Sequence, residues 1–209
     1  MRASYTGIED LNITAFAYLL DFGSDSPVNS ANTYGLRVTG NCDLTDEFYV
    51  KYAGSYAFQK DEADNPTSYD AHYVLAEGTL GKKELGAFTA GYELLGSDNG
   101  DARFVTPLAT LHKHNGWADA FLDNGGPMGL QDLYFAVAPD LPMKLKGKLV
   151  YHRFWSHEHS SNLGHEIDGV VSRKLNKYVT ALTKFAYFDG TNKGPADRWR
   201  LWFQLTLKY

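Results

Sequence analysis

The sequence is built from repeated stretches of roughly ten residues in which apolar and polar side chains alternate. In the last of them, RWRLWFQLTLKY, every second residue from Trp199 to Tyr209 is apolar, whereas the intervening positions carry Arg198, Arg200 and other mainly polar residues. Successive side chains of a β-strand point to opposite faces. The alternation therefore predicts two-faced β-strands and restricts the chain to an all-β architecture.

Ten such segments occur along the chain. Strands that cross a bilayer at a tilt need about ten residues, whereas strands of soluble proteins more often have five or six. The segment length therefore favours a membrane-spanning sheet. The predicted strands cover residues 11–22, 33–44, 48–59, 69–80, 84–95, 129–138, 143–154, 165–175, 178–188 and 198–209.

Two of these segments, the fourth and the fifth, do not divide cleanly into an apolar and a polar side. Assigning their faces would require a bulge, so their facing stays open. The charged or titratable residues responsible are Asp70, His72, Glu77 and Glu93.

The connections between the segments alternate in length. Short ones at 45–47, 80–84, 139–142 and 176–177 are separated by longer ones, of which 96–128 is the longest. Short turns on one rim and long loops on the other are typical of outer-membrane barrels. We therefore predict a single domain over residues 1–209, an antiparallel up-and-down transmembrane β-barrel of about ten strands.

Charge and hydropathy exclude other classes of protein. A net charge of −5 argues against a nucleic-acid-binding protein. No apolar run reaches the roughly 18 residues of a membrane-spanning helix, and the first residues lack the apolar core of a signal peptide. Because a bacterial outer-membrane location requires export, we expect a signal that was cleaved or lies outside this sequence.

Three short motifs carry a resemblance to a known family. They are Gly91-Tyr92-Glu93, Pro107-Leu108-Ala109-Thr110 and Gly116-Trp117-Ala118-Asp119. Together they resemble the bacterial alginate-export-like family of outer-membrane porins. The resemblance implies a channel, and it implies that this chain is the C-terminal half of a larger barrel, with RASYT at residues 2–6 as the end of an earlier strand. The last strand, ending in Tyr209, resembles the C-terminal signal that such proteins present to the barrel-assembly machinery.

The predicted polar faces carry a set of cations that would line a pore. Lys144, Lys146 and Lys148 would form a ladder with a spacing of about 6.6 Å, two strand steps. Cations in a water-filled lumen offer successive weak sites to carboxylates or polyanions. The alternative is that they pair with acidic residues on neighbouring strands, namely Asp132, Glu166 and Asp168. The predicted pore-lining residues are Arg37, Lys51, Lys144, Lys146, Lys148, His152, Lys184, Arg198 and Arg200.

The long connection 96–128 is too long for an idle loop. It mixes apolar and aromatic residues with cationic ones, and folding it inward would narrow the pore. The alternative is an external loop that packs on its neighbours. The residues predicted to form the constriction are Pro107, His112, Lys113, Trp117 and Asp119.

We expect no enzyme, cofactor or metal site. The histidines of the loops lack an ordered ligand set, and Ser156, although close to His152 and His157, has no orienting acid or oxyanion hole in view. The leading hypothesis is an outer-membrane channel for passive diffusion of anionic sugars or alginate-like oligouronates. Its partners would be the lipid bilayer, the anionic solute and the assembly machinery. The alternative is a β-barrel that binds a ligand or serves a structural role without conducting.

Overall fold

A computed structural model describes residues 1–109 and 115–208, and their regular structure is almost entirely β. Five short 3₁₀ turns interrupt the connections, at Gly23–Asp25, Pro27–Asn29, Gly126–Met128, Pro142–Lys144 and Glu158–Ser160. Within this part of the chain, no helix has the length and apolar character to cross a membrane. The strands are β1 (Arg2–Ile8), β2 (Leu11–Leu20), β3 (Ala31–Asp43), β4 (Phe48–Asp61), β5 (Asp70–Lys82), β6 (Gly86–Leu95), β7 (Ser97–Asp98), β8 (Ala102–Arg103), β9 (Leu130–Pro139), β10 (Leu145–Trp155), β11 (Asn162–Lys174), β12 (Val179–Gly190) and β13 (Arg198–Leu207).

Eleven of these strands form one antiparallel meander. Each strand pairs with the next along the chain, and β7 with β8 forms a separate small hairpin in the connection from β6 to β9. Among the described residues β1 and β13 are the two edges and do not pair with each other, so this part of the sheet is not closed. The all-β up-and-down prediction is confirmed. The predicted end of an earlier strand at residues 2–6 lies in β1.

The pairing register assigns every side chain to one of two faces. Cross-strand partners share a face, and one unbroken row of partners contains Glu77, Gly91, Tyr134, His152 and Glu166. We call the face that carries this row the inner face. The register of β5 with β6 has no bulge, so Glu77 and Glu93 share the inner face while Asp70 and His72 take the outer one.

The two faces differ in a way opposite to that of a soluble sheet. Large apolar residues on the outer face are exposed, for example Phe203 at 76% and Leu207 at 72%. Buried residues lie on the inner face, among them Asp132, Glu166 and Phe154. A continuous exposed apolar face around a buried polar interior is the arrangement that a lipid-embedded barrel requires.

Glycines on the sheet make room for aromatic rings across the strand pair. Gly91 faces Tyr134, and a Cβ added at Gly91 would lie 2.2 Å from the Tyr134 ring, where real contacts do not occur. The same ring donates its hydroxyl to Glu77 Oε2 at 2.6 Å. The ring thus bridges two strands over a glycine.

We expect Gly91→Ala to destabilise the folded protein by about 1 to 3 kcal/mol, because the added methyl group overpacks a filled site. Urea unfolding in lipid vesicles, followed by tryptophan fluorescence, measures the change. Gly78→Ala is the matched control, since Gly78 is also in a strand and a Cβ there meets nothing within 4 Å. Equal stability of the two variants would contradict the proposed packing.

Candidate functional site

The long connection between β6 and β9 lies against the inner face of the sheet. We call residues 104–124 the inner loop; positions 110–114 fall outside the described residues. Phe121 packs on Phe154 and Phe188, with ring centroids 4.6 and 5.4 Å apart, and Ala118 is completely buried. The apolar core of the molecule is therefore the contact between this loop and the inner wall.

Buried carboxylates of the wall accept hydrogen bonds from the inner loop. Glu166 Oε1 accepts the backbone N–H of Ala118 at 2.6 Å, and Asp168 Oδ2 accepts that of Trp117 at 3.1 Å. Both carboxylates are fully buried. Burying a charge is costly unless it is hydrogen-bonded, so these contacts offset part of the cost and fix the loop in place.

Gly116 lets the loop approach the wall this closely. Its φ of +85° lies in the left-handed region, and an added Cβ would lie 2.5 Å from Glu166 Oε2. Beside it, Asn115 donates its side-chain amide to Glu93 Oε2 at 2.8 Å. The stretch 115–118 is thus held by three acidic side chains.

His152 lies in the same buried network. Its Nδ1 is 2.9 Å from both oxygens of Asp132, and its Nε2 is 3.6 Å from Asp168 Oδ2. Its ring stacks on Phe154 at an interplanar angle of 4°. At 7% exposure it lies beneath the inner loop, so the structure does not place His152, a predicted pore-lining residue, at a surface that a solute could reach.

Three predicted pore cations also contact the inner loop. Arg200 Nη1 lies 2.7 Å from Asp119 Oδ2, and Arg198 donates to the Asp119 carbonyl at 2.9 Å. Lys184 Nζ lies 5.0 Å from the ring centre of Trp117 and 4.5 Å from that of Trp202, within cation–π range. The acidic and aromatic groups that these cations contact therefore belong mainly to the inner loop and not to the neighbouring strands.

A second anchor holds the start of the inner loop, and nothing in the sequence pattern singled it out. Gln59 accepts the backbone N–H of Val105 at 2.7 Å and donates to its carbonyl at 3.0 Å. The same amide donates to Thr33 and accepts the hydroxyl of Tyr69. The only available signal was a glutamine on the polar side of a predicted strand, which does not reveal a partner so distant in sequence.

The remaining predicted cations form no ion pair with this network among the described residues. Arg37 donates to Ser55 at 2.9 Å, and Lys51 lies 5.2 Å from the ring centre of Tyr49. Lys146 and Lys148 are exposed on the inner face of β10.

Lys144 does not belong to the predicted lysine ladder. It lies in the 3₁₀ turn that precedes β10, with a φ of +59°, because the strand begins only at Leu145. The ladder therefore has two rungs in the strand, Lys146 and Lys148.

The predicted constriction residues are distributed along the inner loop. Trp117 and Asp119 contact the wall, whereas Pro107 is exposed. His112 and Lys113 lie outside the described residues. Beside the Gln59–Val105 contact, a cavity of about 340 Å³ lies between the loop and β2–β4, lined by Phe16, Tyr18, Phe104, Leu108 and other mainly apolar residues.

Neither a metal centre nor a catalytic triad is assembled in the described ranges. They contain no group of three or more His, Cys, Asp or Glu arranged to hold a metal ion. Ser156 donates its hydroxyl to the carbonyl of Glu158 at 2.5 Å. Its hydroxyl hydrogen is therefore directed at a carbonyl rather than at a histidine.

No model of a known protein family and no curated protein matches the sequence. Solved structures do match the fold. OccAB2 of Acinetobacter baumannii shares 13% identity at a TM-score of 0.65, with 97% of this chain and 53% of that chain covered. OccK5 (OpdH) of Pseudomonas aeruginosa shares 11% at 0.68, covering 100% and 57%. The outer membrane protein OprD of Pseudomonas aeruginosa shares 11% at 0.66, covering 98% and 56%.

The chain spans little more than half the length of these proteins. Because the sequence identity is low, the likeness concerns the fold alone. It is a likeness to Occ and OprD porins, and the resemblance to the alginate-export-like family is not supported. The exposed apolar outer face, the polar inner face and these neighbours together show that the chain has the fold of part of a bacterial outer-membrane porin β-barrel.

Proposed function

We propose that the protein is an outer-membrane channel for small anionic solutes, such as sugar acids and short oligouronates, with the inner loop as its constriction. The observation that carries the proposal is a polar inner wall with four cations that form no ion pair among the described residues. The fold of the porin neighbours supports a channel. The choice of anionic solutes rests on the wall residues alone.

Two pairs of cations supply the attraction for anions. Arg37 and Lys51 lie on β3 and β4, and Lys146 and Lys148 lie on β10. In the part of the chain that the structure describes, none of the four forms an ion pair. A guanidinium or ammonium group without a carboxylate partner, in contact with water, can bind a passing carboxylate weakly and release it.

The inner loop supports a narrow passage rather than an open one. Buried carboxylates of the wall accept its backbone N–H groups, and Arg198 and Arg200 contact it at Asp119. These contacts hold the polypeptide against the wall and leave less cross-section for solute. We extend the proposal to assembly, in which the alternating strand β13 would be recognised by the barrel-assembly machinery; Tyr209, the terminal aromatic of that signal, lies outside the described residues.

We expect the double substitution K146Q/K148Q to lower the anion-to-cation permeability ratio about fivefold. Each ammonium group attracts an anion a few ångströms away by about 0.5 to 1 kcal/mol in a water-filled lumen. Reversal potentials of the full-length protein in planar bilayers under a salt gradient measure the ratio.

The matched control is K82Q/K83Q, which removes the same charge from two rim residues already paired with Glu47 and Asp43. Its permeability ratio should stay close to that of the unmodified protein. A selectivity unaffected by K146Q/K148Q would refute the role of the lysine ladder. A protein that inserts but gives no single-channel currents would instead support a plugged barrel with a binding or structural role.

A further inference from the structure

A cationic cavity lies at the short-turn rim, away from the inner loop. The turn before β10 and the turn after β11 line a shallow cavity of about 330 Å³ that is open to solvent. The lining residues are Met143, Lys144, Arg173, Lys174 and Leu175. Three of the five are therefore cations.

These cations have no acidic partner in the described ranges. No salt bridge or side-chain hydrogen bond joins Lys144, Arg173 or Lys174 to another residue there. Other lysines on the same rim are neutralised, since Lys82 Nζ lies 3.1 Å from Glu47 and Lys83 Nζ lies 3.8 Å from Asp43. The cavity is thus a local excess of positive charge that the protein itself does not offset.

The register places this cavity at the edge of the lipid-facing surface. Arg173 pairs with Leu145 on one side and Ala181 on the other. Ala181 in turn pairs with Leu205, which is 70% exposed on the outer face. Arg173 therefore lies within a row of outward-facing residues, one position before the end of β11 on the short-turn side of the sheet.

Apolar and aromatic side chains surround the cations. Met143 is 65% exposed and Leu175 is 55% exposed, and both line the cavity. Next to them, Lys177 Nζ lies 4.6 Å from the ring centre of Tyr178. Tyrosine is typical of the membrane–water interface. An inorganic anion would make no use of the apolar rim, whereas a lipid headgroup with its attached chains would use both parts.

We propose that this cavity binds the phosphate headgroup of an anionic phospholipid in the leaflet on the short-turn side of the membrane. Arg173 contacts the phosphate together with Lys144 of the adjacent turn, and Met143 and Leu175 contact the first segments of the acyl chains, whereas Lys174 pairs with Thr180 on the inner face. Basic clusters at a bilayer surface attract anionic lipids in this way. The inference rests on the membrane placement contained in the proposed function, and it does not depend on conduction.

Native mass spectrometry of the full-length protein, released from detergent micelles, tests the proposal. The protein is mixed with equal amounts of phosphatidylglycerol and phosphatidylcholine of the same chain length, and the retained lipid adducts are counted. We expect a preference for phosphatidylglycerol that K144Q/R173Q weakens about 30-fold, or roughly fivefold for each cation removed. The matched control K82Q/K83Q should retain the preference. The single variant Arg173→Gln covers the case in which the double variant does not fold.

Three outcomes would overturn the lipid site. They are equal retention of the two lipids, equal losses in K144Q/R173Q and K82Q/K83Q, and displacement of phosphatidylglycerol by millimolar inorganic phosphate. Single-channel conductance of the same preparations reports on the channel separately. Loss of lipid preference with unchanged conductance would support the site, whereas absent conductance with an intact lipid preference would count against the proposed channel alone.

Discussion

Phe121→Ala is expected to release the inner loop from the barrel wall. Phe121 is 5% exposed and lies between Phe154 and Phe188. Truncating a buried phenylalanine to alanine costs about 3 to 5 kcal/mol, since it removes apolar burial and leaves a cavity. The sheet is held by its own strand pairing, so the loss falls on the contact between loop and wall.

Two measurements follow the release. Protease digestion of the folded, lipid-embedded protein should cut within residues 115–124 of the variant and leave that stretch of the unmodified protein intact. In planar bilayers, the variant should show a larger or noisier open-channel current, because a loop that leaves the wall no longer defines a fixed cross-section.

Leu108→Ala is the control for this experiment. Leu108 belongs to the same loop but is 66% exposed, so its truncation should leave protease resistance and conductance nearly unchanged. If the Phe121→Ala variant matches Leu108→Ala in protease resistance and in the noise of its open-channel current, the aromatic contact does not hold the loop. The polar contacts of the loop, including the carboxylate contacts to Trp117 and Ala118, would then be what holds it.

Much of the fold was predictable because a strand alternates with a period of two. That period is local, so the strands, their two faces and the alternation of turn lengths could be derived without knowing any contact between distant residues. The facing of β5 and β6 could not be derived. Only the register shows that Glu77 and Glu93 lie on the inner face with other acidic residues, and that Asp70 and His72 lie on the outer face.

The site was harder to predict than the fold, because its contacts join residues that are far apart in sequence. Lys184 and Arg200 lie on the inner face, but their interactions with Trp117 and Asp119 depend on where the inner loop is placed. The partners of Glu166 and Asp168 are backbone N–H groups. Every residue except proline has such a group, so no sequence motif marks these contacts.

The two faces of β13 predict opposite consequences for the same substitution at adjacent positions. Phe203 is 76% exposed on the outer face, where it pairs with Thr183, and Gln204 lies on the inner face, where its amide donates to Thr206 Oγ1 at 3.1 Å. A lysine at Phe203 would place an ammonium group among lipid chains. A lysine at Gln204 would place it on the wall that water reaches.

We expect Phe203→Lys to lower membrane insertion strongly and Gln204→Lys to leave it nearly intact. A charged residue on the lipid face near the bilayer midplane costs about 2 to 4 kcal/mol, whereas the lumen face tolerates one. Heat-modifiability of the folded band after refolding into vesicles measures the inserted fraction of each variant. Because the two sites are neighbours in one strand, differences in strand propensity or chain position cannot account for a large difference between them. Equal losses would mean that β13 is buried on both sides, and a water-filled lumen along this strand would have to be abandoned.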